Sequence, residues 1–314
     1  MEGSMLTLGE VHTGLLQNST ALSLDHTTQL LDLLVGQRVR RSERPIAYAV
    51  SPDQLTGVDC RLPTASGRVT RGVGTVVSHA AVTGGHVVQG STYTRLDRAA
   101  SNRRLIWSHY LSRPGRVETI GKVDFSDVAQ GFLSPAPQPQ TLNLGAVSAR
   151  LMDVVQSSPR LDRRPPFRTK RTRLRWAIRP APDATAEPRG TFRVESDTLR
   201  TLELTAPHDD VSALVELCED LALHDWLLTT LLSLMEFSLT GPGTRAQKID
   251  RLRPAIDCLL HLWMPAARLD ESVLPVWRDL EHRPGFTRQW QTSVTRIRDQ
   301  VTLSTIALLE APAR

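Results

Sequence analysis

Lysine is almost missing from this chain. Of 38 lysines and arginines only Lys122, Lys170 and Lys248 are lysines. Such arginine-rich, lysine-poor usage, together with abundant Ala, Leu and Pro, is what a GC-rich coding sequence produces whatever the function. The net charge of +5 is therefore weak evidence for a nucleic-acid partner. Cysteine is scarce as well: Cys60, Cys218 and Cys258 are far apart and form no CxxC pair. That excludes a disulfide framework and fits a reducing compartment. Aromatic residues make up only 5%. No apolar run approaches the ~18 residues of a membrane-spanning helix. The longest, 227–237, is interrupted by Thr229, Thr230, Ser233 and Glu236. The opening MEGSMLTLGEVHT lacks a basic region followed by an apolar core, so no signal peptide is expected and a cytoplasmic location is.

Motifs of known chemistry are also absent. There is no GxSxG, SxxK or HExxH. GRVETIGKV (115–123) has five residues between its glycines where a phosphate-binding loop has four, and Val123 stands where Ser or Thr would meet magnesium. GVGTVV (72–77) lacks the third glycine of a dinucleotide fingerprint. Ser78-His79 and His208-Asp209-Asp210 are close Ser/His/Asp groupings, and neither has a supporting motif. No catalytic residue, metal ligand or cofactor is assigned.

What is present is patterned in blocks. LTLGEVHTGLL reads as a strand. Asp25 can cap a helix through TTQLLDLLVGQRV, and Pro45 opens the short strand IAYAV. GVGTVVSHAAVT and HVVQGSTYTRL flank Gly84-Gly85, which predicts a hairpin with a two-residue turn. That register pairs Val82 with Val87 and Val76 with Tyr93, putting Val76, Ala80, Val82, Val87 and Tyr93 on one face. LIWSHYLSRPGRVETIGKV suggests a second hairpin through Pro114-Gly115, and TFRVESDTLRTLELTAP a third across Ser196-Asp197. LGAVSARLMDVVQ fits a short helix and LRWAI a strand.

From Asp209 onward the chain reads as helical, with Asp209 or Asp210 as a cap and GPG (241–243) as a break. Trp290, Val294, Ile297, Val301, Ser304 and Leu308 alternate by four and three, a stripe suited to packing in a bundle. Along ELCEDLALHDW, Glu216, Asp220 and His224 are four apart and share one helix face. A metal site there needs a second cluster on a facing helix, and none is apparent. The stripe therefore reads as a solvated polar edge with a modest Asp220–His224 ion pair.

The strongest compositional departure is 160–179, with nine basic residues and one acid. Arg163, Arg164, Arg168, Lys170, Arg171, Arg173 and Arg175 are candidate contacts for a protein or other anionic partner, and Phe167 and Trp176 could stack on bases. A solvated inter-domain connection gives the same composition.

The blocks GEVHTGLLQNSTALS, RGVGTVVSHAAVTGGHVVQGSTYTRL, ELCEDLALHDWLLTTLL, RLRPAIDCLLHLWMP and RPGFTRQW together resemble a family of high-GC actinobacterial proteins that has no assigned chemistry. The likeness spans nearly the whole chain. It implies genes beside a variant P-loop protein and a SAM-dependent methyltransferase, hence a part in a multi-protein cytoplasmic system. It carries over no functional residue.

These readings give an α+β expectation: an N-terminal β-rich region (1–205) holding at least one helix and a basic Pro/Arg-rich segment at about 156–190, then a C-terminal antiparallel helical bundle (206–314). The expected role is a non-catalytic interaction or accessory subunit, with a P-loop protein or methyltransferase as possible partner. Alternatives are nucleic-acid or anionic-partner binding through 160–179, or an enzyme whose site assembles only in space. The last would show a deep pocket holding His79 or His224 with oriented partners.

Overall fold

A computed structural model describes residues 5–136, 138–181, 188–206, 211–240, 244–282 and 284–309. In chain order it contains β1 (Leu6–Leu15), α1 (Leu24–Leu30), β2 (Arg40–Ser42), β3 (Tyr48–Val50), β4 (Gln54–Leu62), β5 (Thr70–Thr83) and β6 (Val87–Arg98). Next come α2 (Trp107–Leu111), β7 (Arg116–Ile120), α3 (Phe125–Leu133), α4 (Leu144–Gln156), β8 (Thr172–Pro180), β9 (Arg189–Val194) and β10 (Leu199–Ala206). The last elements are α5 (Val211–Thr240), α6 (Arg245–Leu259), α7 (Leu274–His282) and α8 (Phe286–Leu309).

All ten strands join one sheet in the order β2-β3-β5-β7-β6-β1-β8-β10-β9, with β4 also on β5. Most neighbours are antiparallel; β6–β7 and β8–β10 are parallel. β1 lies in the middle and is buried along both faces. Leu6 and Leu8 point to a layer formed by α3 and the start of α4, where Val128, Phe132 and Leu144 meet them. Val11 and Leu15 point the other way, into a core shared with Trp176, Leu202 and the α5 residues Leu217, Leu221 and Trp226. Gly9 is required there, because a Cβ would lie 2.0 Å from the Trp176 ring.

The separate C-terminal bundle is thus overturned. The long leucine-rich helix lies across the sheet, and α7 and α8 enter the same core through Trp277, Phe286 and Trp290. A helix apolar over most of its circumference must be covered over most of it. Periodicity cannot say whether helices or a sheet provide the cover, and here both do. The α8 stripe is buried at Trp290 and Ile297 but already 36% exposed at Val301; the side chains of Ser304 and Leu308 lie outside the described residues.

The Gly84-Gly85 hairpin forms, but one residue out of the expected register. Thr83 pairs with Val87 and Val82 with Val88, so the turn holds three residues, 84–86. Its two glycines take φ of 58° and 66°. One residue of slip reverses a strand's faces. Val76, Ala80 and Val82 face the helices α3 and α4, whereas Val87 and Tyr93 face the α5 side. The hairpin expected through Pro114-Gly115 is instead the short helix α2 followed by β7. Ser23, not Asp25, accepts the capping bond of α1, which ends at Leu30. The helix at 144–156, the β8 strand and the β9–β10 hairpin stand as expected. Asp209, Asp210 and GPG (241–243) fall outside the described residues.

Because sheet and helices share one core, Leu221→Ala should cost about 2–5 kcal/mol. It should lower the hydrogen-exchange protection of β1 and β8 amides together with those of α5. An unchanged sheet with a loosened α5 would show that the two unfold separately.

Candidate functional site

A cavity of about 650 Å³ opens where β3, β5 and β6 meet the first turns of α5. Segment 40–45 and the loop at Ala267–Leu269 form its rim. At its floor the His79 Nε2 is 2.6 Å from Glu219 Oε1. Both side chains are 6% exposed. The other ring nitrogen, Nδ1, lies 3.3 Å from Asp53 Oδ1 but makes no hydrogen bond. Asp53 is itself half-exposed in the opening.

Each partner is placed by a distinct part of the fold. His79 sits on β5 opposite Ser91, and the slipped register brings Tyr93 to its face, with ring centroids 6.5 Å apart. Glu219 projects from α5, which is tied to the sheet by the Gln89 Nε2–H donating to the Glu219 carbonyl at 2.9 Å. The neighbouring Asp220 anchors the rim. It accepts from the Ala266 N–H at 3.0 Å, where Ala266 holds a left-handed φ of 58°, and lies 3.9 Å from Arg268. Such a conformation costs a residue other than glycine about 1 kcal/mol or more, so the Asp220 bond fixes this loop against strain. Arg268 in turn lies 3.8 Å over the Tyr48 ring.

Burial alone would push the His79 ring toward neutrality. The Glu219 and Asp53 carboxylates outweigh it and raise the pKa, so the ring is an imidazolium. Burial alone would raise Glu219, but the His79 charge and hydrogen bond hold it below the ordinary carboxylate range. Asp53 is lowered by its polar contact with His79. Tyr93 is pushed up to about 12 by burial and by the nearby Asp53 and Glu219 charges; Tyr48 is raised by burial and Glu219. Both phenols therefore stay protonated donors at neutral pH.

Asp53, His79 and Glu219 run in a line, the ring between the two acids, and do not converge on a point. Among the described residues no group of three His, Cys, Asp or Glu side chains could hold a metal. The Asp220–His224 pair forms at 3.4 Å, but the stripe read as solvated is buried at both residues. His224 packs edge-on against Trp263 and Trp277, with Trp263 stacked 4.2 Å from Trp290.

The seven basic candidates are spread over several surfaces. Arg168 and Lys170 line a second, larger groove, and Lys170 Nζ is 3.1 Å from Asp197. Arg171 pairs with Asp153 of α4 at 2.6 Å. Arg173 and Arg175 point away from Leu174 and Trp176. Arg175 is bound by Glu10 at 3.1 Å and by the carbonyls of Phe132 and Ser134. Arg163 and Arg164 are exposed beside α4, in the turn that carries Asp162. No helix of the described residues is long and apolar enough to cross a membrane.

The raised His79 value contributes stability in full below the ordinary histidine pKa of 6.5 and loses it as pH rises through the folded value. The lowered Glu219 value contributes above 4.5 and loses it as pH falls. The pair should therefore stabilise most between these two values. Glu219→Gln should cost about 3 kcal/mol and flatten the loss on the alkaline side. Urea unfolding from about pH 5 to about pH 9 measures this; an unchanged alkaline slope would place its source elsewhere.

No protein-family model, curated protein or solved structure matches this chain, so the chemistry of the cavity is read from its own side chains.

Proposed function

We propose that the protein binds a small molecule carrying an anionic group in the His79 cavity, with Arg40 and Arg44 at the rim as its charged contacts. The observation that carries this is a cavity whose floor holds His79 between the Glu219 and Asp53 carboxylates, while Arg40 and Arg44 of its rim form no ion pair among the described residues. The volume lies within the range of small-molecule sites.

The rim supports the same reading. Arg41 is taken up by Asp25 and Arg268 by Tyr48 and Asp220. Arg40 and Arg44 line the cavity and form no ion pair among the described residues. The lining sets Arg40, Arg41, Arg44, Arg268 and His79 against Asp53, Glu216, Glu219 and Asp220, and the two guanidinium groups outside any ion pair are the part that favours a phosphate or carboxylate. The chemistry supported is thus binding of an anion by the guanidinium groups of the rim.

Calorimetric titration with inorganic phosphate, a nucleoside monophosphate and a tricarboxylate tests this. At least one should bind. Arg40→Ala and Arg44→Ala should each weaken it about tenfold or more, the effect of losing one charge-assisted hydrogen bond, and His79→Asn should weaken it further. Absence of binding across the panel, or affinity unchanged in the arginine variants, would sink the reading.

A further inference from the structure

A second feature is independent of the ligand reading. On the α5 side of the sheet, between α5, α6 and the edge strand β9, lies a groove of about 1240 Å³, larger than a site for one small molecule. Phe167, Phe192, Val194, Leu232 and Phe237 give it an apolar lining. Val194 is 62% exposed and Phe237 64%, so part of this apolar lining is open to solvent.

The charges around this lining divide into two sets. Arg200, 4% exposed, is closed by Asp225 at 3.0 Å, and Lys170 by Asp197. Arg168 and Arg251 also line the groove and form no ion pair among the described residues. Glu236 is the third carboxylate of the lining, so four cations face three acids. The surplus is positive, and it sits above an apolar floor whose own buried pair is already neutral. We propose that this groove docks a segment of a partner protein in which two or three large apolar side chains are flanked by carboxylates. The apolar side chains fill the space between Phe192 and Phe237, and the carboxylates meet Arg168 and Arg251. β9 is the last strand of the sheet, so its outer edge is the natural place for the segment's backbone to pair. A nucleic-acid strand fits less well. It needs a track of free cations, and the other basic residues of 160–179 lie on other faces or are bound by acids.

The test is selection of a displayed random dodecapeptide library on the full-length chain, followed by fluorescence titration of the enriched peptides. Enriched peptides should combine Leu or aromatic residues with Asp or Glu. Arg168→Glu with Arg251→Glu should weaken them at least about tenfold, and Phe237→Asp should abolish binding. All three side chains are on the groove surface, and an unchanged thermal midpoint verifies each fold; Val194→Lys is the second apolar probe. Arg40→Ala with Arg44→Ala should leave peptide affinity unchanged, which separates this site from the His79 cavity. No enrichment, basic consensus peptides, or binding insensitive to both Phe237→Asp and Val194→Lys would overturn the proposal. So would a thymidine oligonucleotide that binds more tightly than any peptide and is lost in the double arginine variant.

Discussion

Leu217, Leu221 and Trp226 press α5 onto the strands β1, β8 and β10, and every functional feature of the molecule is referred to that contact. The three side chains are fully buried, as are Val11, Trp176 and Leu202 opposite them. Each such residue contributes about 1.5–3 kcal/mol when withdrawn from water. That apolar contact fixes where the polar residues of the same helix fall. Glu219 reaches His79 on the sheet, Asp220 reaches the loop at Ala266, and Asp225 reaches Arg200 on β10. One helix thereby supplies an acid to each of the two concave features of the protein.

Charges this deep are tolerated only in pairs. Buried pairs recur on the two faces: Glu219–His79, Asp220–His224 and Asp225–Arg200 on one and, on the opposite side, Glu10–Arg175. Arg175 is satisfied on several sides, which gives it a structural part. Arg200 is likewise held by Asp225, the Ser196 carbonyl and Thr229. His79 differs in its position: it lies between Glu219 and the half-exposed Asp53 at the floor of a cavity.

Much of the local structure was legible in the residues. The strand at Leu6–Leu15, the helix at Leu144–Gln156 and the β9–β10 hairpin follow from alternation, capping and turn chemistry. Gly84-Gly85 marked the central hairpin, but glycine pairs are compatible with turns of two or three residues. That single ambiguity placed Tyr93 on the wrong face. His79 could be singled out as a candidate beside Ser78. Its partners Asp53 and Glu219 could not, since they stand 26 and 140 residues away and no short-range pattern links them. The basic run was conspicuous in composition, yet Arg173 and Arg175 share one face of β8 while Arg168 and Lys170 precede the strand and line the groove, which divides it.

Composition and periodicity by themselves determined that this chain has no disulfide framework, that strands dominate its first two-thirds, and that its longest helix is apolar over most of its circumference and needs cover there. Only the tertiary structure decided what covers that helix. A leucine stripe is satisfied equally by another helix or by a sheet, because burial of apolar surface has no direction. The pairing of His79 with Glu219, and the groove beside Arg168, follow from that choice of cover, and so belong to the fold and not to any segment of the sequence.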